Sequence, residues 1–392
     1  MTMAALEYRT AGESHGKALI ALVEGMPSGV TVDVDLINAE LKRRQGGYGR
    51  GGRMKIERDT VDLLSGLRRG VTLGSPIAMQ LANRDHRIDE APPVNRPRPG
   101  HADLAGSLKW LTTDCRETLE RASARETAVR VASGALVRSL LNEFEIDIVG
   151  YVVRIRDVVA EIGADATLDE IRAARDANEA YCPDPIAARK MIDAIREAKV
   201  DKDTLGGVVE VQVQGHPPGL GSCMRWQDKL DARLMQAVGS IQAFKGVEIG
   251  LGFGVAERPG SRVHDEIDYD AMQSTSVSLG FSRRSNNAGG IEGGMTNGAP
   301  IVVRAAMKPI STLLRGLDSV NLVTKKPERS DYERSDICSV PAASVVAENV
   351  VAFEIARAML EKFAGDTLVE VRAAYEWYMN EARSLGDVGG ET

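Results

Sequence analysis

From Leu19 to Val34 apolar, β-branched stretches are broken at Gly25-Met26-Pro27-Ser28-Gly29, a pattern that predicts two strands around a turn. Leu36 to Arg44 then reads as a short helix that Asp33 or Asp35 can cap. The run Arg43-Arg44-Gln45-Gly46-Gly47-Tyr48-Gly49-Arg50-Gly51-Gly52-Arg53 is too rich in glycine for regular structure and must be a loop. From Thr118 to Phe144 the period becomes helical: Ala128, Val131, Ala132, Ala135, Leu136 and Leu140 recur at three- and four-residue spacing. The small residues of that stripe, with Gly134, allow another element to pack very closely. A second long helix is predicted from Pro341 to Phe363, its apolar face continued by Met359, Leu360 and Phe363. Ala160 to Lys202 is rich in Ala, Asp, Glu, Lys and Arg, as exposed peripheral helices are, and residues 386–392 read as a flexible tail.

The two long helices have matching surroundings. Gly74-Ser75-Pro76-Ile77-Ala78-Met79 precedes the first and Gly298-Ala299-Pro300-Ile301-Val302-Val303 the second, while Leu141-Asn142-Glu143-Phe144 and Leu360-Glu361-Lys362-Phe363 close them. These echoes predict an internally duplicated strand-and-helix unit and favour one interlocked α+β body, residues 1–385, over independent domains. Chance likeness of two apolar helices is the competing explanation.

Composition narrows the function classes. A net charge of −7 argues against a general nucleic-acid binder, which needs positive potential over a broad face, so any basic site is local. Cys115, Cys182, Cys223 and Cys338 are far apart with no C-x-x-C spacing, so neither a zinc site nor a disulfide framework is expected. No long apolar run follows the N-terminus, and the chain reads as soluble and cytoplasmic with no membrane partner.

Four segments concentrate residues that do not build a core. Gly12-Glu13-Ser14-His15-Gly16 presents an imidazole among small residues, suited to proton transfer, although a lone His is more often structural. Arg96-Pro97-Arg98-Pro99-Gly100-His101-Ala102-Asp103 stiffens the approach to a second one. Neither has the i, i+4 partner of a metal-binding helix, so acid–base work is favoured over metal ligation. Glu120-Arg121-Ala122-Ser123-Ala124-Arg125-Glu126-Thr127 falls at the predicted start of the first long helix, where free N–H groups favour an anion. A solvated ion-pair face is the plainer reading of those arginines. In the glycine loop, Arg44, Arg50 and Arg53 offer planar donors for phosphate or carboxylate. The glycines from Gly289 to Gly298 lack the spacing of a dinucleotide fingerprint, which argues against a Rossmann cofactor site.

Taken together, these segments resemble the chorismate synthase family: GESHG at 12–16, RRQGGYGRG at 43–51, RPGHAD at 98–103, ERASARET at 120–127, GGMTNG at 293–298, KPIST at 308–312 and RSD at 334–336. Gln45 stands where the family often carries a further Arg. The resemblance implies a single-domain β-α-β sandwich with an internal pseudo-repeat, assembled as a homotetramer. It implies anti-1,4-elimination of phosphate and the C6 hydrogen from 5-enolpyruvylshikimate 3-phosphate, with reduced FMN (FMNH2) lending an electron and recovering it. By resemblance Arg44, Arg50 and Arg125 face substrate anions. Arg121, Ala122, Ser123, Gln242, Ala243, Gly293, the segment Lys308, Pro309, Ile310, Ser311 and Thr312, and Arg334 border the flavin. His15 protonates the departing phosphate, His101 manages a proton on the reduced flavin, Asp336 assists removal of the ring hydrogen, and Ser14 and Ser123 relay protons or fix the imidazoles. Glu328-Arg329-Ser330-Asp331 duplicates Glu333-Arg334-Ser335-Asp336, and the second copy is chosen because Ile337-Cys338-Ser339-Val340-Pro341 continues as the family does. No reductase segment is visible, so an external flavin reductant is expected, with NADPH use left open. An FMN oxidoreductase that turns over NADPH and an RNA-associated protein using the glycine loop are the alternatives.

Overall fold

The computed structural model describes residues 5–51, 58–331, 333 and 335–385. Arg53, Arg334 and the tail at 386–392 lie outside the described residues. The first sheet comprises β1 (Glu7–Ala11), β2 (Ala18–Glu24), β3 (Asp62–Leu63) and β4 (Ile77–Ala82), in the spatial order β1-β2-β4-β3. The second comprises β5 (Asp147–Ile155), β6 (Val158–Val159), β7 (Gly207–Gln214), β8 (Phe244–Ile249) and β9 (Ile301–Met307), in the order β8-β9-β7-β5-β6. Every pairing in both is antiparallel. Period-2 alternation turns one face of each inward: Leu19, Ala21 and Val23 of β2 and Ile301, Val303 and Ala305 of β9 are buried.

Helices α1 (Val34–Gln45), α2 (Asp103–Trp110), α3 (Arg116–Ala122) and α4 (Thr127–Asn142) belong to the first half of the chain. After them come α5 (Leu168–Asp176), α6 (Pro185–Val200), α7 (Leu230–Gly239), α8 (Val340–Lys362) and α9 (Leu368–Arg383). α4 packs on β2 and β4, α8 packs on β5 and β7, and the two helices pack on each other, giving layers of sheet, helices and sheet. α8 is apolar around its circumference, with Val345, Val346, Val350, Val351, Phe353 and Ile355 all buried, as a helix enclosed on every side must be. Gly134 lets it approach: a Cβ there would stand 2.0 Å from the Asn349 carbonyl oxygen.

The duplication is visible in the topology. The chain order β1, β2, α1, β3, β4, α4 repeats as β5, β7, α7, β8, β9, α8, and the spatial orders β1-β2-β4-β3 and β5-β7-β9-β8 are the same. Chance likeness of two helices does not produce that. β6, α5 and α6 are an insertion in the second copy, placed as the charged stretch predicts.

Two expectations need correction. After the turn at 25–29 the chain forms no second strand; Val30 and Val32 are buried, but their N–H groups go to Thr72 Oγ1 and Gly70 O, with one isolated bridge between Thr31 and Val71. The first long helix does not run unbroken from Thr118, because Ser123 is extended (φ −64, ψ 143) and its Oγ accepts from Arg125 N to cap a short turn at Ala124–Glu126. The α1 expectation holds closely, with Asp33 Oδ1 accepting from Leu36 N at 2.9 Å.

Candidate active site

The connections from β4 to α4 and from β9 to α8 occupy equivalent places in the two repeats, and they meet at one cavity of about 660 Å³. The first contributes His101, Ala122, Ser123 and Arg125, the second Lys308 to Thr312, Asp336 and Ser339. The β1–β2 turn adds Ser14 and His15, the end of α1 and its loop add Arg44 and Arg50, and the corner before β8 adds Gln242 and Ala243. His15, His101 and Asp336, remote in sequence, therefore share one cleft. Two described residues of the sequence-based set do not line it. Arg121 points outward and donates to Gly12 O and Thr10 O, because the break at Ser123 turns it away from Arg125. Gly293 sits in the tight turn between the strands Ile291–Glu292 and Met295–Thr296, with open space around its Cβ position.

Each histidine is held through Nδ1. Glu120, buried in α3, accepts from His15 Nδ1 at 2.9 Å and from the His15 main-chain N–H at 2.9 Å. Burial opposes ionisation of Glu120, but hydrogen bonds from His15 and Arg116 outweigh it and hold the carboxyl below the usual range. Asp103, at the first turn of α2, accepts from His101 Nδ1 and is gripped by Arg98. There too burial raises and the His101 and Arg98 hydrogen bonds lower, with the net shift well downward. Asp85 Oδ2 lies 4.0 Å from His15 Nε2. Ser123 Oγ donates to Ser14 Oγ at 3.2 Å, so the two serines form a pair beside His15.

Cations also crowd the cavity. Arg44 and Arg125 are buried around Asp59, with Arg125 Nη1 at 2.7 Å from it and Arg44 Nη1 at 3.5 Å. Burial, then repulsion from Arg125 and Arg50, pulls the Arg44 guanidinium down to about 9 against the attraction of Asp59. A site with this surplus of confined positive charge is relieved by an anion. Arg50 pairs with Asp336 at 2.7 Å, and Asp336 also accepts from Gly51 N at 2.6 Å and Ser339 Oγ at 2.5 Å. Its duplicate, Asp331, binds Arg96 outside the cavity. Lys308 is lowered by burial and by the charge of Lys245. Between the charges the wall is apolar, formed by Leu119, Ile241, Phe244, Met307, Ile310 and Val346.

Asp59, Asn83, Asp85, Lys245 and Ser339 were not legible as site residues. Arg98, Asp103 and Glu120 lay inside singled-out segments, where a carboxylate close to a His or Arg was the available signal. Among the described residues no group of His, Cys, Asp or Glu is arranged to hold a metal ion, and no helix is long and apolar enough to cross a membrane. Burial pushes the Cys338 thiol up to about 12 and Cys182 to about 11, which leaves both unreactive near neutrality.

A duplicated α+β sandwich whose equivalent connections enclose two carboxylate-held histidines and a buried arginine cluster defines an acid–base enzyme for a polyanionic substrate. The sequence model of the family described as chorismate synthase matches residues 6–360. A chorismate synthase of Desulforamulus reducens is 52% identical over 392 residues, covering 97% of this chain and 100% of that protein. One of Geobacter sulfurreducens is 54% identical over 397 residues, with the same coverages. A solved structure described as a crystal structure of chorismate synthase has a TM-score of 0.79 and 42% identity, covering 98% of this chain and 100% of that one. The chain belongs to the chorismate synthase family.

Proposed function

We propose that this enzyme converts 5-enolpyruvylshikimate 3-phosphate to chorismate by anti-1,4-elimination of phosphate and the C6 hydrogen, with reduced FMN as cofactor. The observation that carries the reading is the meeting of His15, His101, Asp336 and the arginine cluster at one cavity. The residues present fit a flavin nucleotide: an apolar wall suits the ring, and the buried Gln242 Oε1 and Arg125 Nη2 have no hydrogen-bond partner among the described residues. Lys245 and Lys308 supply charge for a phosphate. Ala122, Ser123, Gln242, Ala243 and Lys308 to Thr312 are the residues proposed to hold the cofactor. Held by these residues, reduced FMN would supply reversible one-electron chemistry for cleavage of the carbon–oxygen bond to phosphate, with no net redox change.

The chain's own groups bind, orient and move protons. Arg44, Arg50 and Arg125 bind the phosphate and carboxylates of the substrate, and the apolar wall excludes water. With Nδ1–H committed to Glu120, the doubly protonated His15 ring delivers its Nε2 proton to the leaving phosphate and is left as the Nδ1–H tautomer. His101, committed in the same way to Asp103, holds a proton against the cofactor. Ser14 and Ser123 fix the His15 side of the cleft, and Asp336, anchored by Ser339 and Gly51, assists removal of the ring hydrogen.

Supplying 5-enolpyruvylshikimate 3-phosphate and chemically reduced FMN under nitrogen is expected to yield phosphate and a conjugated diene without net flavin oxidation. Absence of phosphate release overturns the reading. NADPH with oxidised FMN as the sole electron source separates intrinsic reduction from the external reductant proposed here. The exposed Phe253, Tyr269, Met272 and Phe281 support assembly into the homotetramer.

A further inference from the structure

Behind each cavity histidine stands a carboxylate, and behind each carboxylate an arginine with every guanidinium nitrogen engaged. Arg98 donates from Nε to Asp103 Oδ2 at 2.8 Å, from Nη2 to Asp103 Oδ1 at 3.0 Å and from Nη1 to Thr312 Oγ1 at 3.0 Å. Arg116 donates from Nη1 to Glu120 Oε1 at 3.0 Å, from Nη2 to Glu333 Oε1 at 2.9 Å and from Nε to Pro92 O at 2.7 Å. Both side chains are buried. Arg125 differs, since its Nη2 is buried without a partner among the described residues. Arg125 thus keeps a donor for a ligand, whereas the donors of Arg98 and Arg116 serve the protein.

We propose that Arg98 and Arg116 are positioning residues that lock Asp103 and Glu120 in the orientation fixing the Nδ1–H tautomer of His101 and His15, so that both rings offer Nε2 to the reacting molecules. His101 Nδ1 faces both Asp103 Oδ1 and, at 3.1 Å, Arg98 Nη2. The carboxylate is the nearer of the two and only accepts, and Arg98 Nη2 already donates to Asp103 Oδ1, so the ring nitrogen facing the carboxylate carries the proton, as it does at His15 facing Glu120. The orientation of the carboxylate is then the orientation of the ring, and the arginine determines it. Each arginine also reaches across to the connection from the other repeat, Arg98 to Thr312 and Arg116 to Glu333. The histidines of the first half are thereby registered against the cofactor and Asp336 segments of the second. Lysine cannot replace either arginine, because one ammonium does not span a carboxylate and a second acceptor in a fixed plane.

The inference rests on the proposed function for its kinetic consequence, but not for its structural one. In protein labelled with 15N-histidine, recorded well above the ordinary imidazole range, long-range 15N–1H correlations of His15 and His101 are expected to report protonated Nδ1. Arg98→Lys is expected to mix in the Nε2–H tautomer at His101 and leave His15 unchanged, and Arg116→Lys to do the reverse. In turnover each variant loses roughly 10- to 100-fold in kcat, within the range for disturbed proton transfer, while KM for the substrate stays within a few-fold. Guanidinium ion restores part of the rate to Arg98→Ala. A wild-type Nε2–H tautomer at either ring, unchanged tautomers in the Lys variants, or a rise in KM at constant kcat would each overturn the proposal. The wild-type spectrum decides it if the variants do not fold, and it stands apart from whether phosphate is released.

Discussion

The main-chain carbonyl oxygen of Asn349 in α8 lies 2.0 Å from the point where a Cβ on residue 134 of α4 would stand. No side chain fits between helices that close, so Gly134→Ala must separate them and disturb packing on both sheets. The expected loss is about 1–3 kcal/mol, the usual cost of overpacking, or more. A lower urea midpoint with an unchanged slope checks it; a midpoint equal to wild type contradicts the packing described.

Glu348 is buried and accepts from Arg43, Arg138, Arg175 and Gly150 N. Burial opposes its ionisation, but the arginines prevail and hold the carboxyl at about 2, below its ordinary 4.5. A depressed folded-state value means its stabilisation is fully present above pH 4.5 and is lost as pH falls from there through about 2. Glu348→Gln is expected to destabilise by about 3–5 kcal/mol at neutral pH and to flatten the acid limb in that window. Denaturant titrations at several pH values test this, and an acid limb as steep as wild type refutes it.

Arg121 and Arg125 occupy one octapeptide but face opposite ways. Arg125→Gln is expected to raise KM for the substrate roughly 10- to 100-fold, the loss of one buried charge-assisted hydrogen bond. Arg121→Gln, outside the cavity, is expected to leave KM for substrate and flavin within a few-fold. Equal effects in the two variants would contradict the break at Ser123.

His15→Ala and His101→Ala are each expected to lower turnover by about two to four powers of ten, the range for loss of a general acid or base. Stopped-flow or steady-state phosphate release measures it. Near-normal rates in either variant reduce that histidine to a structural role.

The twin acidic residues provide an internal control. Asp336→Asn is expected to cost turnover roughly 100-fold or more, whereas Asp331→Asn, which loosens only the tie to Arg96, is expected to stay within a few-fold. Reversal of that order transfers the role to the first copy.

Much of the fold was legible because periodicity survives folding: β2, α1 and α8 lie where alternation and helical spacing put them, and the repeated Gly-x-Pro-Ile segments do begin equivalent strands. The break at Ser123 was not legible, since a serine between alanine and alanine suits a helix and its extended conformation is fixed by Ser14 and by the cavity that draws Arg125 inward. Spacing alone also treats Arg121 and Arg125 alike. Asp59 and Asp85 were invisible for another reason: an isolated acid gives no sign of its partner when that partner, Arg125 or His15, is far along the chain.

The enclosed helix α8 has a bearing on synthesis. Arg138 of α4 and Glu348 of α8 pair across 210 residues, so on the ribosome the first repeat emerges long before the helix that covers it. At about 5–20 residues per second the nascent chain carries that uncovered apolar layer for on the order of ten seconds or more. Chaperone engagement at this stage, and aggregation of truncations ending before Val340, are the cellular counterparts of a shared central layer.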